Sequence, residues 1–298
     1  MSEAALQQTV SRGVGAILRD YISLFKLRIV LLLDATAVGA MLPAAHGFPH
    51  PVAVLAVVLG GTFAAGGAHA INCWFDRDID AAMARTRRRP IPDGRIPGWH
   101  ALALGVALNV LAFVVLATLT NLLAAALALT GTLLYVFVYT VWLKRSTPQN
   151  IVIGGAAGAI PPLVGWAAVT GRLDLTALSL FLVIFMWTPP HFWALAQLIR
   201  RDYEQAGVPM LPVVAGDLPA KRQSLLYAVL TVAASVVPFF THAEGFVYLA
   251  GALVLGIGLV AICVLDLKAS GWTARLFRYS MLYMAALFVL LGVGIFVH

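Results

Sequence analysis

The segment around Asn72 carries the side chains best suited to chemistry. Asn72, Asp76 and Asp80 recur at steps of four, and on a helix such residues share one face at intervals of about 6 Å along the axis. Like charges at this spacing repel each other, so the array becomes favourable when a divalent cation lies among its members. Carboxylate and amide oxygens suit Mg²⁺, which completes its octahedron with water and substrate phosphate. The spacing therefore predicts a magnesium and diphosphate site.

The competing interpretation is a solvated helix end with ordinary surface acids. It suits a single aspartate better than three polar residues that follow a long apolar run. An uncompensated aspartate at bilayer depth costs roughly 2.5–3.5 kcal/mol on insertion scales, so such residues normally mark a cavity or pathway. We therefore favour the functional interpretation.

Cations that could bind a diphosphate stand in flanking segments of the chain. They are Lys26, Arg28, Arg77, Lys144, Arg145, Arg200 and Arg201. Lys144 is the strongest candidate, because Tyr139 and other aromatic residues precede it on one helix end. Basic residues in membrane loops also set topology, and for Arg85 and for Arg87 to Arg89 the sequence favours that role.

A second cluster runs through Trp187-Thr188-Pro189-Pro190-His191-Phe192-Trp193 and on to Asp202. Proline removes a backbone donor from a helix, so the two prolines predict a break that lines a cavity. His191 follows this break directly. A lone histidine is more often structural, but one within a membrane span is a functional candidate.

The elements that position these residues are membrane helices. The 298 residues are 61% hydrophobic and 11% charged, against roughly a quarter charged in soluble domains. Apolar runs reach the length of about 20 residues that crosses a bilayer. Nine spans are predicted, near 21–43, 52–72, 98–119, 122–143, 150–170, 176–199, 223–241, 246–267 and 275–297. The predicted fold class is all-α, a polytopic membrane helix bundle of about nine transmembrane helices in one domain, 1–298.

The charges are strongly one-sided in this arrangement. Assigning all 20 Lys and Arg to the nine-span order places every one except Arg172 on one side. The positive-inside rule makes that side cytoplasmic, with the amino terminus inside. The same side holds most of the acids, which this rule does not require. A site on the cytoplasmic side explains them.

Several other readings of the sequence are disfavoured. The net charge of +7 belongs to membrane loops, so we expect no nucleic-acid partner. Cys73 and Cys263 lie far apart without neighbours at metal-ligand spacing, which argues against a disulfide framework or a zinc site. The first 20 residues predict a short amphipathic lead-in and not a signal peptide.

These residues resemble intramembrane prenyltransferases of the UbiA type, and within them the haem O synthases, or protohaem IX farnesyltransferases. Asn72, Asp76 and Asp80 look like the first metal-diphosphate motif of the superfamily. The strings that resemble the haem-modifying branch are Asp76 to Asp80, Arg85-Thr86 with Arg89-Pro90, Leu143 to Arg145 through Thr147 to Asn150, and Pro189 to Trp193. Together they cover the chain from the first span to about residue 212.

The chain departs from the superfamily pattern at three places. The second acidic motif is reduced to Asp202. Tyr139 precedes Lys144 by five positions, where the superfamily has Tyr-x-x-x-Lys. Leu27 stands between Lys26 and Arg28, where members often have proline. None of these departures touches the first motif.

The resemblance implies transfer of a farnesyl group from farnesyl diphosphate to a vinyl group of haem B, with water adding a hydroxyl, to give haem O and diphosphate. Mg²⁺ is the implied cofactor, held by Asn72, Asp76 and Asp80. The residues expected to act in catalysis are these three with Lys144 and His191. Those expected to bind diphosphate or haem are Lys26, Arg28, Arg77, Tyr139, Arg145, Trp193 and Asp202. The sequence leaves open whether His191 contacts haem or handles protons.

The resemblance also implies surroundings and partners. The protein would lie in the bacterial inner membrane with its site loops cytoplasmic, and haem A synthase or terminal oxidase assembly proteins would receive its product. Aromatic residues that could line the cavity are Trp74, Phe75, Tyr135, Phe137, Tyr139, Trp187 and Trp193. For each of them, lipid-facing or interfacial anchoring is an equal alternative.

Two other functions fit parts of the sequence. A transporter or channel would also have intramembrane acids and proline-broken helices, but no internal repeat is evident and the polar residues stop at one face. A prenyltransferase could instead modify a quinone-precursor aromatic or a chlorophyll-like ring. The reduced second motif and the His191 string favour haem.

Overall fold

The computed structural model describes residues 13–269 and 271–294. Within them, nine helices are long and apolar enough to cross a membrane. These spans are Leu27–Ala45, Pro51–Phe75, Gly98–Leu119, Leu122–Ser146, Asn150–Thr170, Leu175–Leu198, Asp217–Phe240, Phe246–Lys268 and Thr273–Gly294. Each span packs on its neighbours in sequence, and the first also packs on the fifth and the ninth. The expected all-α membrane bundle is confirmed.

The first span begins later than the sequence suggested. A separate helix, Val14–Leu24, precedes it, and Lys26 adopts a left-handed conformation with φ of 53°. This turn ends one helix and starts the next at Leu27. The lead-in helix exposes Ile17 and Leu18, as expected of an amphipathic segment. The expected lead-in also includes residues 1–12, which lie outside the described residues.

The seventh span begins at Asp217, six residues before the predicted start. Lys221 lies within the helix because Asp266 of the eighth span pairs with it, at 3.1 Å between Nζ and Oδ1. A paired cation can thus continue a helix where an unpaired one would favour a loop. The predicted end of the ninth span, 295–297, lies outside the described residues.

The predicted break in the sixth span is wrong. Leu175–Leu198 runs as one helix through Pro189 and Pro190. Proline already holds a φ close to the helical value and mainly removes a donor. Within a bundle, neighbouring helices stabilise such positions, and the sixth span packs on the fifth, seventh and ninth spans.

The fourth span contains a π-helix, Leu134–Leu143. In this conformation backbone hydrogen bonds join residues five apart, and the Lys144 amide donates to the Tyr139 carbonyl. Residues five apart therefore follow each other on one face. The extra residue between Tyr139 and Lys144, which departs from the superfamily pattern, is absorbed by the wider turn.

The two long connections between spans pack together at one end of the bundle. The first contains the short helix Arg77–Ala82, and the second contains Arg200–Gln205 and Leu211–Ala215. An apolar cluster joins them to the fifth and sixth spans. Its buried members are Ile79, Met83, Ile151, Ala196, Tyr203, Val208 and Met210. These contacts hold the charged connections over the helix ends.

The first and fifth spans approach each other closely at Gly165. A Cβ atom there would collide with the backbone carbonyl oxygen of Ala37, so only glycine fits. At Gly158 of the same helix, an added Cβ would meet open space.

We therefore expect Gly165→Ala to destabilise the protein by about 1–3 kcal/mol, the usual cost of overpacking. Gly158→Ala is the matched control and should leave stability unchanged or slightly higher, since alanine favours helices. Thermal unfolding in detergent, followed by tryptophan fluorescence, measures both. Equal melting temperatures for the two variants would contradict the close contact.

Candidate active site

The predicted array lies where the second span ends. Asn72 is in its last turn, Asp76 follows it directly, and Asp80 lies in the short helix Arg77–Ala82. The helical register continues across this junction, because the Asp76 amide donates to the Asn72 carbonyl at 2.9 Å and the Asp80 amide to the Asp76 carbonyl at 2.8 Å. The three residues are only 3%, 1% and 4% exposed. A solvated helix end with surface acids is therefore excluded.

Asn72 and Asp76 are held by cations from both sides. Lys26 Nζ donates to Asn72 Oδ1 at 2.8 Å, and Asn72 Nδ2 donates to Asp76 Oδ2 at 2.6 Å and to Thr140 Oγ1 at 3.1 Å. Lys144 forms an ion pair with Asp76 Oδ2. The π-helix carries both Thr140 and the residue before Lys144. It therefore aligns the fourth span with the array.

Arg145 binds the exposed aspartate of the same motif. Its guanidinium makes two hydrogen bonds of 2.7 Å with the carboxylate of Asp78, which lower the pKa of Asp78 to about 2. It also lies 5.0 Å from the Phe75 ring centroid and 3.5 Å from Asp76 Oδ1. Asp78 thus holds a positive charge beside the buried Asp76.

Arg89 is the cation that the sequence interpretation missed. Its NH1 group lies 2.8 Å from both carboxylate oxygens of Asp80, although the sequence favoured a role in topology alone. The chain bends between Asp80 and Arg89, so that Arg89 can reach the Asp80 carboxylate. Thr86 stabilises this bend, because its hydroxyl donates to the Asp80 carbonyl at 2.9 Å. The only sequence signal was its place in the Arg89-Pro90 string.

The donor chemistry of the array fits Mg²⁺. Asp76 Oδ1 is buried and makes no hydrogen bond, and Arg145 lies 3.5 Å from it, so this carboxylate oxygen could bind an ion at the centre. No three His, Cys, Asp or Glu side chains in residues 13–269 and 271–294 are grouped to hold a metal. The Asn72 amide and a substrate phosphate would therefore have to complete the set, as Mg²⁺ commonly requires.

Two open spaces are lined by cations that contact the array. A groove of about 490 Å³ is lined by Lys26 and Arg89 together with Arg19, Ile22, Ser23, Leu27, Arg28 and Ile29. A pocket of about 290 Å³ is lined by Asp78 and Arg145 together with Ile79, Ala82, Gln205, Ala206, Gly207 and Val208. Burial lowers the pKa of Lys26, so an anion in the groove would stabilise its charged form.

Tyr135, Tyr139 and His69 form a group of aromatic side chains near Asn72. Tyr135 stacks on Tyr139 with centroids 5.7 Å apart, and its hydroxyl lies 3.2 Å from His69 Nδ1. His69 Nε2 is buried and makes no hydrogen bond. The sequence interpretation did not select His69. Its helical spacing of three from Asn72 was the available signal.

His191 lies apart from the array, between the sixth and ninth spans. Its ring stacks between Trp187, at a centroid distance of 4.3 Å, and Phe277, at 4.9 Å. Its Nδ1 lies 2.8 Å from Ser280 Oγ, and Trp187 Nε1 donates to the Ser280 carbonyl at 2.8 Å. The structure thus gives His191 an aromatic clamp of its own.

Other predicted binding residues are not joined to the array by the contacts of the described residues. Arg28 is exposed on the groove, and Arg77 is exposed and donates to the Trp74 carbonyl at 2.9 Å. Asp202 is partly exposed on the short helix Arg200–Gln205. Their binding roles stay predictions.

Two aromatic residues do not have the surroundings expected of cavity-lining residues. Trp193 is fully buried in a separate cluster, with its ring 5.8 Å from that of Tyr227. Phe137 is 60% exposed on the fourth span, as suits a lipid-facing residue. Trp193 is buried because the sixth span packs on the seventh. Phe137 is exposed because it lies on the outward face of the π-helix.

Sequence comparisons extend over nearly the whole chain. The sequence profile of the UbiA prenyltransferase family matches residues 33–283. A Roseiflexus sp. protein named protoheme IX farnesyltransferase is 53% identical over 94% of this chain and 53% of its own length, so this chain spans about half of that relative. A Gloeobacter violaceus protein of the same name is 52% identical over 94% of this chain and 93% of its own length.

A solved structure shares the fold. It is a UbiA homolog from Archaeoglobus fulgidus bound to DMAPP and Mg²⁺, and it superposes with a TM-score of 0.67. The match covers 92% of this chain and 99% of that one at 17% sequence identity. The similarity therefore concerns the arrangement of the spans.

Proposed function

Because this chain belongs to the UbiA prenyltransferase family, we propose that it moves a farnesyl group from farnesyl diphosphate to a vinyl group of haem B, or protohaem IX. The observation that carries the proposal is the buried array of Asn72, Asp76 and Asp80 with its converging cations. The name of the 52% identical Gloeobacter relative supports the farnesyl donor and the haem acceptor.

The basic side chains around the array bind the diphosphate. Lys26 approaches from the side of the groove, and Lys144 and Arg145 approach from the other side. They stabilise the negative charge that develops on the leaving oxygen, where such preorganised charges act most strongly. Lys26 now donates to the Asn72 amide oxygen, and Lys144 and Arg145 now pair with protein carboxylates. All three would exchange these partners for phosphate oxygens.

Asn72, Asp76 and Asp80 would hold Mg²⁺ with the diphosphate. The ion would act as a Lewis acid that neutralises charge on the phosphate oxygens. The Mg²⁺ bound to the Archaeoglobus homolog supports magnesium as the ion, and Asp76 Oδ1, which makes no hydrogen bond, supports Asp76 as a ligand. Arg89 orients Asp80 beside the site through an ion pair of 2.8 Å.

The carbon chemistry belongs to the apolar interior behind Asn72. The bond between farnesyl C1 and the diphosphate oxygen breaks, and the vinyl carbon of haem forms a bond to C1. Water then adds to the carbon beside the porphyrin and releases a proton, which gives the hydroxyfarnesyl product and diphosphate. Tyr135 and Tyr139 stack on each other and flank Thr140, which contacts Asn72. We propose that their aromatic faces stabilise the allylic cation.

The membrane location follows from the same geometry. Farnesyl and porphyrin are lipophilic, whereas diphosphate must leave to water, so a site at the end of a helix bundle suits both. We propose a multi-pass protein of the bacterial inner membrane whose site faces the cytoplasm. The one-sided Lys and Arg support that orientation. Haem A synthase or terminal oxidase assembly proteins remain the proposed recipients of the product.

Purified protein incubated with Mg²⁺, farnesyl diphosphate and haem B is expected to yield a haem product heavier by one hydroxyfarnesyl group. Mass spectrometry of the extracted haem measures it, and a reaction lacking farnesyl diphosphate is the control. A prenylated phenolic acid formed in its place, with haem B unchanged under reducing and oxidising conditions, would show that the acceptor is a quinone precursor. Isoprenoid or ion transport without product would favour a transporter.

A further inference from the structure

The hydrogen bonds of Ser280 determine which nitrogen of His191 carries a proton. Ser280 Oγ donates to the Phe277 carbonyl at 2.8 Å, and a carbonyl oxygen can only accept. This bond uses the single hydroxyl hydrogen. His191 Nδ1 lies 2.8 Å from the same Oγ, so Nδ1 must be the donor in that pair.

The remaining nitrogen, Nε2, therefore bears a lone pair. No acidic side chain contacts the ring among the described residues, and an unpaired cation at membrane depth is costly. The imidazole is thus neutral. No described residue makes a hydrogen bond to Nε2, and the side chain is only partly buried. The stacked rings of Trp187 and Phe277 hold its plane.

A neutral histidine with Nδ1 bonded and Nε2 free is the form that binds metal ions. An isolated divalent cation needs several protein ligands, yet no group of three His, Cys, Asp or Glu exists in the described part of the chain. Haem iron differs, because the porphyrin supplies four nitrogens and only axial positions remain. A single clamped histidine matches that requirement.

We propose that His191 Nε2 binds the iron of the haem substrate as an axial ligand and so fixes the acceptor for farnesyl transfer. The inference rests on the proposed function, since it takes haem as the acceptor. His191 lies seven residues before Leu198, where the sixth span ends, or about 10 Å of helix rise. Asn72 lies three residues before the end of the second span at Phe75. The iron would therefore lie deeper in the bundle than the diphosphate.

The test is optical titration of ferric haem B into the full-length protein in lipid nanodiscs. The wild-type protein should give the Soret band and electron paramagnetic resonance signal of histidine-ligated haem. His191→Ala should lose both, and added free imidazole should restore them by occupying the vacated clamp. His242→Asn is the control, because His242 is exposed in a loop with positive φ, and its spectrum should match wild type.

A second variant keeps His191 as the iron ligand and tests whether its Nδ1 carries the proton. Ser280→Ala removes the partner of Nδ1, and loss of such a supporting hydrogen bond typically weakens metal binding by about 10–100-fold. We expect a rise of that size in the Kd for ferric haem, measured at a temperature where thermal unfolding shows that the variant is folded. Wild-type haem affinity in Ser280→Ala would contradict the assigned proton position.

The mass assay for the farnesylated product, run on the same samples, separates the two hypotheses. If wild-type protein forms the product and His191→Ala keeps the histidine-ligated spectrum, His191 is not the iron ligand and the proposed function stands. This includes the case where His191→Ala loses turnover, which would indicate proton handling. If the wild-type spectrum depends on His191 but no haem product forms, iron binding is supported and the farnesyl transfer is wrong.

Discussion

Asp76→Asn is expected to lower kcat by about 10²–10³-fold or more, the range found when one preorganised charge partner is removed from an active site. Asparagine keeps the shape of the side chain but removes its charge. Asp76 lies at the centre of the site, where it accepts from Asn72 and pairs with Lys144. The change would leave the Lys144 ammonium without a charged partner and would replace one of the two carboxylate oxygens with an amide nitrogen, which cannot bind Mg²⁺.

The measurement is the initial rate of haem product formation at saturating substrates, together with the fraction of protein inserted in the membrane. Glu204→Gln is the control, because Glu204 is exposed and pairs with Arg200 on the same side of the bundle. It should keep wild-type activity, since exposed pairs contribute at most about 1 kcal/mol. Full activity in Asp76→Asn would remove the argument for a metal and diphosphate site.

Arg89→Gln should produce the second large effect, lowering kcat/KM by about 10²-fold. Removing one partner of a buried ion pair leaves the other charge uncompensated, which costs about 3–5 kcal/mol. Asp80 has a side chain only 5% exposed, and Arg89 is 29% exposed. The unpaired Asp80 carboxylate would draw Lys26 away from Asn72, which weakens the site.

Arg87→Gln is the matched control, because Arg87 is exposed two positions earlier in the same basic run. If the run served topology alone, the two substitutions should have equal and small effects. Steady-state kinetics for both variants decide between these outcomes, and thermal unfolding shows how much of the Arg89→Gln effect is loss of folded protein. Equal activities would restore the topological role.

The sequence was sufficient for features that depend on short-range periodicity. Apolar runs of bilayer length predicted the nine spans, since backbone groups in lipid must be paired within a helix. The four-residue steps of Asn72, Asp76 and Asp80 predicted a shared helical face, and the backbone bonds continue that register. The local effect of proline on a helix was not sufficient, since it predicted a break at Pro189 that packing within the bundle prevents.

What the tertiary structure decided concerns residues far apart in the chain. Lys26 meets Asn72 across 46 positions, and Ser280 meets His191 across 89. The pairing of Arg89 with Asp80 needed the bend at Thr86, which no periodic pattern indicates. The sequence alone determined the spans and the acidic array, because each follows from the repeat of a helix. Only the packing of separate helices decided which cations pair with the array and which nitrogen of His191 is free, because those depend on distances between elements that no local pattern encodes.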